Sequence, residues 1–481
     1  MTRYNICEYD VSNDGETTET ATIQELLDVC AEDGGGVVVI PTGEYVTGPL
    51  TLRSNVEVHL EPGATLLGEE TIERYPTIQG RSGGIEQEVY ASLFTGHDLE
   101  NVAITGQGTI DARGHRWWEA QRQTQRLFDE RGFSREEYYP SPDEAALEYP
   151  RPFVIDLYRC EDVLVRDVTI QNSPSWTVHP VYCESVTIDN VSIRNPEESP
   201  NTDGINPDSC RNVRISNCHI DVGDDCITIK SGYDENGRRV GKPCENVVVT
   251  NCTMIHGHGG VVIGSEMSGD VRNVTVSNCV FDRTDNGLRI KTERGRGGVV
   301  ENIRATNIVM RNLSNTAFIV TMFYYEGEDE TQPVTERTPT LRDIHYSDIT
   351  IDGTVTTATI RGLSEMPVEN FSLSNVWAKD AECGITVTNV DDMSLQDVTV
   401  DAQTTPAFDI RRTTSLKLTN TADPDPNPDT PIVRLDGVNA IVQSCTAAAE
   451  TGTFLEYGDG DEIIVQNNHL DATDTDIVIR E

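Results

Sequence analysis

A nine-residue pattern of alternating apolar positions, interrupted by Asn or Asp, recurs along most of this chain and limits its fold more than any other feature. It runs from Asp162 to Ile170, Ser185 to Ile193, Asn212 to Ile220, Asn246 to Met254 and Asn273 to Phe281. It continues from Asn302, Asp343, Asn370 and Asp392 and fades over residues 439–447 and 462–470, with most spacings between 22 and 34 residues. Alternation gives each strand one buried face, and the polar residue breaks the strand before a helical period can form. Short strands repeated without intervening helices predict an all-β chain, a right-handed parallel β-helix. The whole of residues 1–481 then forms one solenoid domain that grows by adding rungs. Asn217, Asn251, Asn278, Asn307 and Asn375 share one repeat position and read as stacked amides that bond turn backbones.

Four segments leave the pattern, one of them within residues 311–342 around Glu326-Gly-Glu-Asp-Glu-Thr331. Ala21, Ile23, Leu26, Leu27 and Cys30 fall at helical spacing before Gly34-Gly35-Gly36, which predicts a helix over 20–30 capping the first rung. Residues 114–150 are rich in charge and aromatics (Trp117, Trp118, Phe128, Phe133, Tyr138, Tyr139) and predict a helical insertion beside the groove. Residues 423–430 form a Pro/Asp loop within the C-terminal rungs, 371–481.

The formal net charge is −43, and Lys occurs at only five positions, 230, 242, 291, 379 and 417. Carboxylates spread along the whole chain, with Lys stripped out, read as adaptation to multimolar salt, where a Debye length of about 3 Å screens self-repulsion. No basic stripe exists to meet phosphates, which argues against nucleic acid as a partner. No apolar run approaches membrane-spanning length, and the start carries no signal-like h-region. The expectation is a soluble cytoplasmic chain, secreted only if a leader has been removed; oligomeric state is left open. Cys218, Cys252, Cys279 and Cys445 recur at one repeat position and predict small buried groups, and no Cys-x-x-Cys pair suggests zinc.

Four polar clusters interrupt consecutive repeats: Asn201-Thr202-Asp203, Gly223-Asp224-Asp225, Gly257-His258-Gly259 and Arg289-Ile290-Lys291. Cleaving a glycosidic bond with inversion needs a protonated carboxyl for the leaving oxygen and a carboxylate to activate water, separated by about 6.5–9.5 Å. Asp203, Asp224 and Asp225 are the candidates, and crowding pushes one pKa upward so that a proton is retained. If Ile227 and Ile229 point inward, then Asp224, Cys226, Thr228 and Lys230 face the groove. Asp225 joins them only if the backbone turns after Gly223. By the same parity Arg289 and Lys291 share a face while Ile290 is buried, giving two fixed cations for an acidic sugar. Two of the five lysines, Lys230 and Lys291, lie in these segments.

Together the four motifs resemble glycoside hydrolase family 28, the polygalacturonases and related pectin hydrolases. Asn13-Asp14-Gly15, residues 34–41, residues 43–49 and residues 106–111 are similar to the family's N-terminal rungs, so the resemblance covers nearly the whole chain. It implies a right-handed β-helix and hydrolysis with inversion, without a metal or other cofactor. By resemblance, Asp224 is the general acid, Asp203 and Asp225 activate the water, and His258 tunes or orients the acid. Arg289 and Lys291 bind a galacturonate carboxylate, and Tyr324 matches a family tyrosine about one rung further on. Asn201 and Lys230 complete the substrate-binding set. Secreted eukaryotic members often bridge the Cys after the Asp pair to a Cys four residues before the motif His. Here Cys226 is present but Met254 takes the second place. The 114–150 insertion resembles prokaryotic members, some of which act on chain ends. The expected substrate is an α-1,4-linked galacturonide, attacked in exo mode. The rivals are a rhamnogalacturonan hydrolase of the same family, a calcium-dependent pectate lyase, and a non-catalytic β-helix that binds polysaccharide.

Overall fold

Two residues in every repeat adopt left-handed backbone, and these define the rungs. In the computed structural model every residue is described except 1, 132–146, 148, 326, 328, 472 and 481. The first repeat position (Asp162, Ser185, Asn212, Asn246, Asn273, Asn302, Asp343, Asn370) has φ of 54–59°, and the sixth (Asp167, Asn190, Asn217, Asn251, Asn278, Asn307, Asp348, Asn375) has φ of 50–67°. An L-residue in this region costs about 1–2 kcal/mol, and Asn and Asp tolerate it best. That preference explains why the repeat keeps them. The amides also stack, but they bond the neighbouring rung's side chain more than turn backbone. Asn217 Nδ2 donates to Asp189 Oδ1 (2.8 Å), Asn307 Nδ2 to Asn278 Oδ1 (2.7 Å) and Asn375 Nδ2 to Asp348 Oδ1 (2.7 Å).

The chain is 57% strand and 8% helix, and it winds as a right-handed parallel β-helix, the hand that parallel crossovers take. It divides into two compact units, Met1–Gly232 with Lys242–Val248, and Tyr233–Gly241 with Val249–Glu481. In the first unit the strands Glu100–Gly106, Glu161–Arg166, Glu184–Asp189 and Arg211–Ser216 pair in parallel through Val102, Val163, Val186 and Val213. A second ladder stacks Ile110, Ile170, Ile193 and Ile220, each of them wholly buried. In the second unit Val274, Ile303, Ile344 and Phe371 stack in the same way. Cys218, Cys252, Cys279 and Cys445 are buried free thiols, as their repeat position predicts.

The first helix, α1 (Thr20–Glu32), buries Ile23, Leu26, Leu27 and Cys30 and ends at Gly34 and Gly35, both with positive φ. Ala21 is exposed, so the stripe is narrower than its spacing suggested. The insertion contains α2 (His115–Arg131), in which Trp117 and Trp118 are buried; Phe128, Phe133, Tyr138 and Tyr139 lie outside the described side chains.

The ladder that carries the motifs of the first unit is Leu50–Thr51, Phe94–His97, Ile155–Tyr158 and Val178–Val181, extended by bridges to residues 205–208 and 227–230. Its inward positions are Phe94, Ile155, Val178, Ile205 and Ile227, all buried. The outward face bears Thr95, Asp156, His179, Asn206 and Thr228 in one row and His97, Tyr158, Val181, Asp208 and Lys230 in the next. An antiparallel hairpin, Thr77–Ser82 with Ile85–Tyr90, is fastened to that face. Its Arg81 is wholly buried with Nε 3.2 Å from Asp208 Oδ2 and Nη1 donating to Ser209 Oγ (3.3 Å). Glu86 accepts from the hydroxyls of Tyr158 and Tyr182, each at 3.2 Å. Trp117 of α2 packs edge-on against Tyr75 and Tyr90 at the hairpin's base, each at 5.1 Å.

Asn307 separates the two uses of the repeat residue. Asn307→Ala should lose about 2 kcal/mol through left-handed strain and the lost amide bond, and Asn307→Gly should recover roughly half, as measured by chemical denaturation.

Candidate active site

The three motif aspartates meet because two adjacent rungs approach unusually closely before their strands begin. Gly204 N donates to Asp225 O (3.1 Å) and Ile205 N to Cys226 O (3.1 Å), so Asn201-Thr202-Asp203 and Gly223-Asp224-Asp225 are bonded neighbours. A Cβ on Gly204 would sit 2.4 Å from Cys226 O, and one on Gly223 would sit 2.5 Å from Ser199 O, so both positions demand glycine. The chain bends at 223, 224 and 226 and enters its strand only at Ile227–Ile229. That bend brings Asp225 to the same place as Asp224, where strict alternation would have separated them. Cys226, which follows the pair, is wholly buried.

Carboxylate oxygens of Asp203, Asp224 and Asp225 lie within 4.8 Å of one another. Asp203 Oδ2 accepts from Asn206 Nδ2 (2.7 Å) and Thr228 Oγ1 (3.2 Å). Asp224 accepts from Asp225 N (2.9 Å) and from Asn201 Nδ2 (3.4 Å). Asn201 is held in turn by Arg151, whose Nη2 donates to its Oδ1 at 2.6 Å. Lys230 is 4% exposed, with Nζ 4.5 Å from the centre of the Trp176 ring. Arg151, Trp176, Asn206 and Thr228 were not picked out by motif reasoning. Thr228 alone had a signal, its parity with Lys230.

Burial, followed by repulsion from Asp224, pushes the Asp203 carboxyl up to about 8, while Lys230 acts in the opposite sense and Asp225 adds to the rise. One oxygen from each carboxylate lies within reach of a single water that could bridge two of them. Among the described residues this is also the grouping whose spacing would suit a cation, although Lys230 competes for the same charge.

The second unit supplies the other motif residues. On the strand Leu288–Lys291, Ile290 is 1% exposed, and Arg289 and Lys291 share a face as parity requires. Both reach one ring: Arg289 Cζ lies 5.6 Å and Lys291 Nζ 5.1 Å from the centre of Tyr324. Tyr324 is placed by its own N–H, which donates to Thr292 O (3.1 Å). His258 is more than half exposed, its Nε2 lies 4.0 Å from Asp285 Oδ2, and Asn286 Nδ2 donates to its carbonyl (2.7 Å).

A crowded, proton-holding carboxylate group and a Tyr-backed Arg/Lys pair agree with comparisons to known proteins. Residues 141–377 match the profile of glycosyl hydrolases family 28. A probable polygalacturonase of Vitis vinifera is 34% identical over 373 residues, covering 76% of this chain and 71% of the relative. The chain belongs to glycosyl hydrolase family 28. Another relative, the exo-poly-alpha-D-galacturonosidase of Dickeya chrysanthemi, is 26% identical over 424 residues, covering 81% of this chain and 69% of its own length. The crystal structure of a hyperthermoactive exopolygalacturonase from Thermotoga maritima superposes with a TM-score of 0.70 at 33% identity, covering 82% of this chain and 91% of that one. This family 28 member is a glycoside hydrolase, with its carboxylates on the rungs where the motifs placed them.

The raised Asp203 pKa has a definite sign for stability. The folded carboxyl keeps its proton to about 8, whereas an unfolded aspartate releases it near 3.8, so folding loses stability as pH rises through that window. Asp203→Asn should abolish hydrolysis yet raise Tm by about several degrees at pH 8 and by almost nothing at pH 4, as read by calorimetry.

Proposed function

We propose that this family 28 hydrolase cleaves α-1,4-galacturonide bonds of pectate and oligogalacturonides with inversion, removing sugars from a chain end. The observation that carries the reading is the grouping of three carboxylates on adjacent rungs, with one oxygen of each within 4.8 Å of the others and Asp203 almost wholly buried. With substrate bound, the proton that Asp203 holds passes to Asp224, which donates it to the leaving oxygen, and Asp203 and Asp225, then both carboxylates, activate water. His258 orients the acid. Arg289 and Lys291, backed by Tyr324, bind a sugar carboxylate, and Lys230 and Asn201 are further substrate-binding residues. The hairpin favours exo attack. Its buried Arg81 reaches Asp208 on Asp203's own rung, so the hairpin is fastened to the outward face close to the carboxylates. The Dickeya and Thermotoga relatives are themselves named for exo activity. The charge of −43 supports a salt-requiring protein, and twelve free thiols suit a reducing compartment.

Digestion of trigalacturonate and polygalacturonate in multimolar salt with EDTA tests this. Saturated galacturonate should accumulate from the start, with the β-anomer first by proton NMR, and Asp224→Asn should lose at least about a thousandfold in kcat. Mixed oligomers at early times would reverse the exo assignment, and the α-anomer first would mean retention. Ultraviolet-absorbing products would indicate a lyase, turnover only of rhamnogalacturonan the sibling activity, and binding without turnover a non-catalytic groove. Separately, Tm should climb between 0.1 and 3 M KCl as salt screens the carboxylates; a flat or falling curve would remove the salt-adaptation reading.

A further inference from the structure

Behind Asp203, on the outward row of the first unit, runs a file of buried polar side chains that the reaction scheme does not use. Asp156 pairs in register with His179. The bridges Val178↔Ile205 and Val181↔Asp208 put Asn206 beside His179 on the next rung, and Ile205↔Ile227 puts Thr228 beside Asn206. Asp156 is 1% exposed, and His179, Asn206 and Thr228 are wholly buried. His179 Nδ1 lies 3.1 Å from Asp156 Oδ1, and Asn206 Nδ2 donates to Asp203 Oδ2 at 2.7 Å. The gap falls between these two bonds. His179 Nε2 and Asn206 Oδ1 are both buried without a hydrogen-bond partner among the described residues.

One of these atoms can carry a proton and the other can only accept, and their residues sit on adjacent rungs, whose backbones are about 4.8 Å apart. Phe153 and Trp176 stand edge-on to the imidazole, at 4.5 and 5.0 Å between ring centres, and fix its plane. We propose that His179 is a positioning residue: its Nε2–H bonds Asn206 Oδ1 and so holds the amide with Nδ2 turned to Asp203. With the amide reversed, its oxygen would face a carboxylate oxygen. The Asp156–His179 pair shares one proton between Oδ1 and Nδ1 and keeps another on Nε2. It is therefore neutral whichever partner holds the shared proton. Asp203 then receives two fixed donors, Asn206 and Thr228, at one oxygen, and its second oxygen is set for the reaction.

The kinetic part of this inference rests on the carboxylate group being the reacting one. Gln and Asn substitutions distinguish the two nitrogens, because a Gln amide reproduces Nε2 and an Asn amide reproduces Nδ1. His179→Asn, which keeps the bond to Asp156, should lower kcat by about 10- to 100-fold with KM unchanged within about twofold. His179→Gln should stay within about fivefold of wild type. Asn206→Leu should match His179→Asn, and the double variant should be no worse than either. Equal losses in the Gln and Asn variants, or additive losses in the double variant, would overturn the proposal.

Nitrogen-15 histidine NMR of the wild-type protein tests the bond independently of any variant's folding. One ring Nε2 should carry a slowly exchanging proton at neutral pH, assigned through its edge contacts to Phe153 and Trp176. An unprotonated Nε2 there would overturn the relay even if the enzyme is fully active. Full activity in Asp224→Asn would instead overturn the functional reading and leave the NMR result standing.

Discussion

Parallel register between neighbouring rungs is the constraint on which the rest of this structure depends. A shift of one residue would turn every outward side chain inward, exchanging Asp156, His179, Asn206 and Thr228 for the isoleucines and valines beside them. The register is held twice. Apolar stacks such as Ile110, Ile170, Ile193 and Ile220 fill the interior, and left-handed Asn and Asp residues end each strand at the same point and bond across rungs. Packing supplies most of the driving force through burial, but the amide ladder decides where each turn starts.

That ordering allows charge to be placed where it is costly. A carboxyl as enclosed as Asp203 would be unfavourable in isolation. It is supported by Asn206, Thr228 and Lys230 from its own and the next rung, and it keeps its proton because burial, and then Asp224 beside it, disfavour the charged form. The polyanionic exterior and the crowded interior carboxylates thus follow different rules. Salt screens the exterior, whereas burial keeps salt and water from relieving the interior.

The hairpin depends on the same outward face. Arg81 enters it as a wholly buried ion pair with Asp208, a kind of contact that contributes more to registry than to net stability. Gly83 and Gly84, with φ of 57° and 75°, supply the tight turn. The hairpin thus interrupts the regular solenoid surface of the first unit on the rungs that carry Tyr158, Tyr182 and Asp208.

Much of this was legible in the chain itself. The nine-residue repeat implied parallel rungs, the spacing from Ile23 to Cys30 implied the helix that begins at Thr20, and the motifs implied the carboxylates and the Arg289/Lys291 pair. These are local properties, periodicity and turn preference, which a sequence carries directly. Strict alternation left Asp225 undecided, because a bend at 223–226 depends on the carbonyls that Gly223 meets from another turn. Arg81, Arg151, Trp176 and Asn206 carry no motif. Their partners lie from 3 residues (Asn206 to Asp203) to 128 (Arg81 to Ser209) away in sequence. The sequence therefore determined the rungs and their chemical inventory. Only the tertiary structure decided which oxygens crowd, which carboxyl is desolvated and what covers the groove, because those depend on distances between turns that no single repeat contains.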